Sequence, residues 1–380
     1  MTSEERHEAR YKRRKAKRDE AKRKRNEGHT FEAVTDFNNL RRAFYSARKG
    51  VNWKASVQRY GCNVIKNCAD TSVRLRNGTY ESKGFIEFDI NERGKKRHIS
   101  SVHISERVVQ KSICDYGIVP VLEKSLIYDN SASQRGKGTD FARDRLKRHL
   151  REYYRKYGCE GYVLVGDCHD FYGSMQHEVV EENLRHLITD ERLIDLTMQF
   201  VHCFPKGLGL GSQVCQINAV VYQNRIDPSI KEVKRCRWYG RYNDDFYILC
   251  RTKEEAWELL SYIRDEYLKI GIHLNPKKTQ VIKLTHGFIF LQDRMYLTST
   301  GKIIDKPSRK SIVRNRRRLK AIADRYYRCE ITYDQVQNFF ASHIGYLIHK
   351  DAYHARCNIN KLFCDLFIRG TIHEQVCNAQ

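Results

Sequence analysis

The chain has 380 residues, a formal net charge of +24 and 41% hydrophobic residues, enough apolar material for a sizeable core in two or three subdomains. So large an excess of Lys and Arg calls for an acidic partner, and interleaved Arg, Tyr and Phe favour nucleic acid over a membrane surface. No apolar run spans a bilayer and no signal-peptide pattern opens the chain, so a cytoplasmic location is expected; the 13 cysteines include no Cys-x-x-Cys pair, which disfavours zinc and a disulfide framework.

Residues up to about Asn26 are dominated by Arg and Lys, as in Lys12 to Arg18 and Lys22 to Arg25. With almost no apolar residues the segment has no face to bury, so it is either a solvated tail or a lone helix that binds phosphate. From Phe31 to Leu75 the pattern is helical, with Phe37, Leu40, Phe44 and Tyr45 expected on one side. Glu87 to Ile99 reads as a hairpin with a basic turn, followed by a helix from Ser105. A small-residue basic loop, Ser131 to Thr139, precedes a helix from about Asp140 to Tyr157; its glycines and Lys137 could cradle a phosphate, although the spacing is not that of a P-loop.

Tyr162 to Gly166 is an apolar run suited to a buried strand that delivers Asp167 to its end, and a helix is predicted from His177. Arg237 to Cys250 reads as a second hairpin, two aromatic-rich arms around Asn243-Asp244-Asp245. Adjacent carboxylates repel, so holding both ionised beside a packed hairpin favours a cation, and hard oxygen ligands favour Mg²⁺. Taken singly, each feature also suits a bland role: the hairpin tip an ordinary turn, Asp167 a helix cap. Taken together, a strand ending in one Asp and a hairpin carrying two can gather three carboxylates around two metals. Ala256, Leu259, Leu260, Ile263 and Tyr267 then mark an amphipathic helix. Beyond Lys302 basic density climbs again, in Arg309-Lys310 and Arg314 to Lys320, ahead of helical segments with Phe339, Phe340, Ile344 and Tyr346.

Three of these stretches carry a resemblance to reverse transcriptases. Asp167-Cys168-His169-Asp170-Phe171-Tyr172 resembles the first palm motif, Tyr242-Asn243-Asp244-Asp245 the Tyr-x-Asp-Asp motif, and Gly207 to Gln216 the loop and helix between them, in the family's order. The resemblance covers Phe31 to Phe367 and implies an α+β right-hand polymerase fold: a basic extension over 1–30, fingers with the start of the palm over 31–160, a palm over 161–300 with an antiparallel sheet backed by helices, and a small helical thumb with a tail over 301–380. It leaves no room for an RNase H, endonuclease or integrase domain.

By that resemblance Asp167, Asp244, Asp245 and the carbonyl of Cys168 hold two Mg²⁺ ions, with Mn²⁺ an alternative. Lys278, in Leu274 to Gln280, lies near the triphosphate and protonates the leaving pyrophosphate; the competing role is a surface lysine beside a Pro turn. Arg97 and, with less support, Lys96 reach the incoming nucleotide. Tyr172 lies under its sugar and excludes a 2′-hydroxyl, or is a core aromatic. Leu210, Gly211 and Gln216 line the nucleotide site, and His286 to Leu291 resembles the hairpin that grips the primer. The Gly-rich loop departs from the commonest pattern: Leu210 stands where many members have Gln, which implies relaxed nucleotide selection, and Cys215-Gln216 replaces Ser-Pro. It is closer to the form in diversity-generating and some defence-associated bacterial and phage enzymes.

The expected activity is RNA-directed DNA synthesis on a dedicated, structured non-coding RNA in antiviral defence, with DNA product or primer and dNTPs as partners, no membrane, and a protein partner or homo-oligomer open. The alternatives are a diversity-generating or retron-type enzyme, a template-independent nucleotidyltransferase, and a non-catalytic RNA-binding scaffold.

Overall fold

A computed structural model describes residues 2–92 and 94–367. The basic segment is helical: α1 (Ser3–Asn26) opens on a capping box, Glu5 N donating to Thr2 Oγ1 at 3.2 Å and Thr2 N to Glu5 Oε2 at 2.8 Å, and buries only Asn26. Four helices follow, α2 (Phe31–Thr35), α3 (Phe37–Ala47), α4 (Ala55–Cys62) and α5 (Val64–Arg76), then a hairpin of β1 (Phe85–Glu92) and β2 (Lys95–Val102). In α3 the buried stripe is Leu40, Ala43 and Phe44. Tyr45, expected on that face, is turned about 100° from Phe44 by the helical pitch; it is 43% exposed and lies beneath the Arg48 guanidinium.

Helix α6 (Ile104–Ser112) runs through a π-helical turn, Ile113–Ile118, into α7 (Val119–Leu122), and α8 (Thr139–Tyr157) leads to the sheet. The central strands are β3 (Tyr162–Gly166), β5 (Tyr239–Tyr242), β6 (Asp245–Cys250) and β8 (Gln280–Lys283), antiparallel in the order β5-β6-β3-β8. Two short strands, β4 (Cys168–His169) and β7 (His273–Leu274), pair beside them. Between β4 and β5 lie α9 (His177–Leu187), α10 (Glu191–His202), α11 (Gln213–Val221) and α12 (Ile226–Pro228), and between β6 and β7 lies α13 (Lys253–Lys269).

The sheet is buried on both faces, which is why β3 and β6 read as nearly unbroken apolar runs. Alternation sends Leu164, Phe246 and Ile248 into one core and Val163, Val165, Tyr247 and Leu249 into another. The first core receives Ala256, Leu259, Leu260, Ile263 and Tyr267 of α13, the five positions its periodicity marks, and continues without a break into α2 to α7. That core thus spans residues on both sides of 160/161. The second core is closed by α8 and by a sheet of β9 (Phe288–Phe290), β10 (Asp293–Leu297) and β11 (Ile303–Pro307).

Because β11 completes that sheet, the C-terminal helical lobe begins at Arg309 and not at 301. It comprises α14 (Arg309–Tyr327), α15 (Tyr333–Ile348) and α16 (Tyr353–Phe367), packed round their own apolar cluster. Of the thumb and tail expected over 301–380, residues 368–380 lie outside the described residues. Among the described residues no helix is long and apolar enough to cross a membrane.

Candidate active site

Strand register brings the acidic motifs together. Gly166 pairs with Phe246 across β3 and β6, so one further step puts Asp167 opposite Asp245. The approach is tight enough to exclude a side chain at 166, where a Cβ would lie 2.2 Å from the Phe246 ring. Across the hairpin Tyr242 pairs with Asp245, leaving Asn243 and Asp244 as the turn, with Asn243 at φ 50°. Thus Asp244 sits on the tip and Asp245 opens the strand.

A buried ion pair under the turn fixes the tip. Arg241, 1% exposed within an otherwise aromatic strand, gives Nε at 3.0 Å and Nη2 at 2.6 Å to the two oxygens of Asp227, and Nη1 to the Asn243 carbonyl at 3.2 Å. Tyr239 Oη donates to the same carboxylate at 2.6 Å. Sequence reasoning missed Arg241 and Asp227; the available signal was a charged residue inside a strand otherwise buried on both sides.

The three carboxylates strain against one another. Burial first, then repulsion by Asp244 and Asp167, pushes the Asp245 carboxyl up to about 7, with Lys278 pulling the other way. Burial, then Asp167, also raises Asp244, opposed by Lys278 and Arg97. Lys278 Nζ lies 2.6 and 2.7 Å from the two oxygens of Asp167. Partial burial works against its charge, but Asp167, Asp245 and Asp244 outweigh it and hold the ammonium above the ordinary lysine range. Lys278 is therefore in the site and not on a remote surface. Among the described residues no three His, Cys, Asp or Glu side chains stand ready to hold a metal ion. The donor set nonetheless fits one: hard oxygens, crowded like charges, and a cation already drawn to Asp167. Lys278 Nζ occupies the side of Asp167 that such an ion would take. Cys168 could contribute only its carbonyl, because its buried thiol accepts from Gln223 Nε2 at 3.7 Å.

The expected nucleotide-binding residues separate into groups. Phe171 is core, 5% exposed, whereas Tyr172 is half-buried beside the acids: burial first, then Asp244, pushes its phenol up to about 12. Arg97 belongs to the same neighbourhood, since its charge is felt at both Asp244 and Tyr172. Lys96 does not share that face. Opposite Arg97 lies Ile90 and opposite Lys96 lies Asn91, so the two side chains project to opposite sides of the hairpin, Arg97 pairing with Glu92 at 2.7 Å and Lys96 with Asp89 at 2.8 Å. Strand alternation thus parts the two residues expected to reach one nucleotide.

Leu210 and Gly211 hold the loop before α11 against strand β2 of the hairpin. Ser100 N donates to the Leu210 carbonyl at 2.8 Å, and Gly211, at φ +118°, has its Cα so near Ser100 that a Cβ would lie 2.5 Å from the Ser100 carbonyl oxygen. Gln216 is exposed and faces a cavity of about 360 Å³ lined by Arg107, Gln110, Lys111, Gly211 and Gln213, with Nε2 donating to Ser133 Oγ at 3.3 Å. Lys137 does not offer its ammonium to a phosphate: Nζ is engaged by the carbonyls of Tyr128 at 2.8 Å and Asn130 at 3.1 Å. His286 and Gly287 border a cavity of about 370 Å³ with Thr285, Arg294 and Tyr296.

No curated protein sequence matches the chain. Among solved structures, similar ones include apo telomerase from Candida tropicalis truncated from its C-terminal domain, at 14% identity over 58% of this chain and 55% of that one with a TM-score of 0.46. Telomerase from Candida albicans in complex with a TWJ fragment of telomeric RNA matches at 10% identity over 69% and 55% with a TM-score of 0.46. The chain thus spans about half the length of these structures. The family profile described as Reverse transcriptase (RNA-dependent DNA polymerase) matches residues 83–307, from the β1–β2 hairpin through the last strand, and with Asp167, Asp244 and Asp245 gathered inside it the chain belongs to that family.

Proposed function

We propose that the chain extends a primer 3′-hydroxyl with deoxynucleotides on an RNA template. What supports the reading above all is the register of β3 on β6, which sets Asp167 against Asp245 beside Asp244 and Lys278 within the matched region. Reverse transcriptases use divalent metal ions; here Asp167, Asp244, Asp245 and the Cys168 carbonyl would hold two, Mg²⁺ in preference to Mn²⁺, which when bound activate the hydroxyl and neutralise the leaving pyrophosphate.

The chain's own side chains do the rest. Arg97 faces the cleft and binds the triphosphate, while Tyr172 fills the space a 2′-hydroxyl would need. Lys278 holds the Asp167 carboxylate in the resting state; released from it, the ammonium is placed to give a proton to pyrophosphate. Arg241 and Asp227 keep the turn in one conformation, so that positioning is built before substrate arrives. Helices α2 to α8 with the hairpin act as fingers, the sheets as palm and α14 to α16 as thumb. The template is a structured non-coding RNA in bacterial antiviral defence, a reading supported by the likeness of the Gly207 to Gln216 loop to defence-associated enzymes.

Primer extension with labelled nucleotides tests the chemistry. Asp244→Ala is expected to lose at least about a thousandfold in rate, some 4 kcal/mol of barrier, while RNA affinity, which rests on cations, stays within about twofold. Full extension by Asp244→Ala would refute the assignment. Sequencing RNA that co-purifies with the protein tests the template, and products made without any template would favour nucleotidyl transfer instead.

A further inference from the structure

Helix α1 is half Lys and Arg and takes no part in the site described above. Among the described residues, only its end touches the body. Asn26 Nδ2 donates to the Leu187 carbonyl at 2.9 Å, Asn26 Oδ1 accepts from Thr189 N at 3.2 Å, and Lys22 Nζ donates to the Arg185 carbonyl at 2.7 Å. These groups lie at the C-terminal end of α9, whose first turn follows the Asp167 segment. Eleven residues of helix separate the two ends of α9 by about 16 Å. The arm therefore leaves the body at the end of α9 away from the catalytic carboxylates, and every residue of α1 before Lys22 is exposed, over roughly 30 Å of helix.

Its charge is largely uncompensated. Lys12 and Lys24 pair with Glu8 and Glu20 at 2.7 and 2.9 Å, but among the described residues no carboxylate lies within ion-pair distance of Arg13, Arg14, Lys17 or Arg18. Arg13 and Lys17, like Arg14 and Arg18, stand four apart and repel. At the dock Lys22, Arg25 and Arg225 converge; burial first, then these charges, hold the His186 imidazole below its ordinary range. A helix without an apolar stripe is unsuited to a lipid surface or to a hydrophobic groove. A polyanion answers both the charge and the missing apolar face.

We propose that α1 is a docked arm that grips the RNA backbone outside the template–primer cleft. The inference rests on RNA being the enzyme's template. Full-length wild type and R13Q/R14Q/K17Q/R18Q would be compared on a minimal template–primer that fills only the cleft, and on the same template extended by a long RNA hairpin. The variant is expected to bind the hairpin-bearing RNA about 10- to 100-fold more weakly, with its salt slope shallower by about two to three. Turnover on the minimal substrate should be unchanged, and R13K/R14K/R18K should restore binding. Equal affinity and slope for variant and wild type would overturn the proposal. So would an equal loss on the minimal substrate, which would put α1 in the cleft, or an equal loss on a matched DNA hairpin, which would make the arm indifferent to RNA. Wild type that binds RNA but extends neither substrate would instead refute the polymerase reading, and the affinities would still decide for or against the arm.

Discussion

Tyr172 shows how much one residue's setting decides. Beside it Phe171 is core, while the phenol feels the charges of Asp244 and Arg97, in the place proposed for an incoming sugar. Tyr172→Ala is expected to lower discrimination against ribonucleotides by roughly 10²-fold, measured as the ratio of kcat/KM for dNTP and rNTP; a core aromatic would instead lose both activities together. Its place five residues beyond Asp167 was legible in the sequence. The Lys278–Asp167 contact was not, because 111 residues separate the partners and only the fold closes that distance. Nor could sequence reveal His149, 3% exposed, which accepts from the Arg145 guanidinium through Nε2 at 3.1 Å and so donates from Nδ1 to Tyr247 Oη at 3.0 Å. Burial first pushes this imidazole down to about 4; Asp129 works against the fall, and Arg145 and Lys231 with it. The unfolded chain therefore takes up a proton that the folded one refuses, so stability is lost as pH falls from about 6.5 to about 4, by up to about 3 kcal/mol. Urea unfolding across that range should show the slope, and His149→Gln should flatten it.

At the scale of elements, periodicity carried most of the information. The buried positions of α13 and both arms of the β5–β6 hairpin follow from spacing alone, because burial on a helix or strand repeats with the backbone. Short or unusually paired elements escaped, such as the two-residue β4–β7 pair and β11, where Ile303-Ile304 runs straight into Asp, Lys and Pro. The placement of Lys96 and Arg97 on opposite faces needed only alternation, once the strand was fixed. The hairpin itself depends on a long-range partner. Arg241→Met would strand the fully buried Asp227 carboxylate, and the expected loss is about 3–5 kcal/mol. The double variant Arg241→Met/Asp227→Leu should recover much of that stability in urea unfolding without recovering primer extension, since the Asn243 carbonyl would still lack its donor. Recovery of both would mean that the pair merely fills space.

Across the whole molecule, two buried carboxylates join the C-terminal helical lobe to the sheets. Asp293 on β10 meets Arg143 of α8 at 2.7 Å and Lys350, just past α15, at 2.6 Å, and also accepts from Tyr346 Oη. Asp305 on β11 meets Lys147 of α8 at 2.7 Å and the same Lys350 at 2.8 Å. Asp305 N donates to Asp351 Oδ2 at 2.9 Å, so the chain leaving α15 is stitched to the strand directly. Among the described residues the lobe has its own apolar cluster, so its direction is set by polar contacts, this joint and Arg314 Nη2 donating to Gln292 Oε1 at 3.2 Å. Lys350 is 4% exposed and serves both carboxylates. Lys350→Met should therefore cost roughly 2–4 kcal/mol at the joint while leaving the lobe's helices formed. If the lobe holds the template–primer duplex, single-turnover nucleotide addition on a bound substrate should change little, whereas product length in a single binding event should shorten. Hydrogen exchange should quicken in the Asp293 and Asp305 strands and around Lys350, not in the core of α14 to α16. Unchanged product length with quickened exchange would show that the joint stabilises the fold without governing the grip on the duplex.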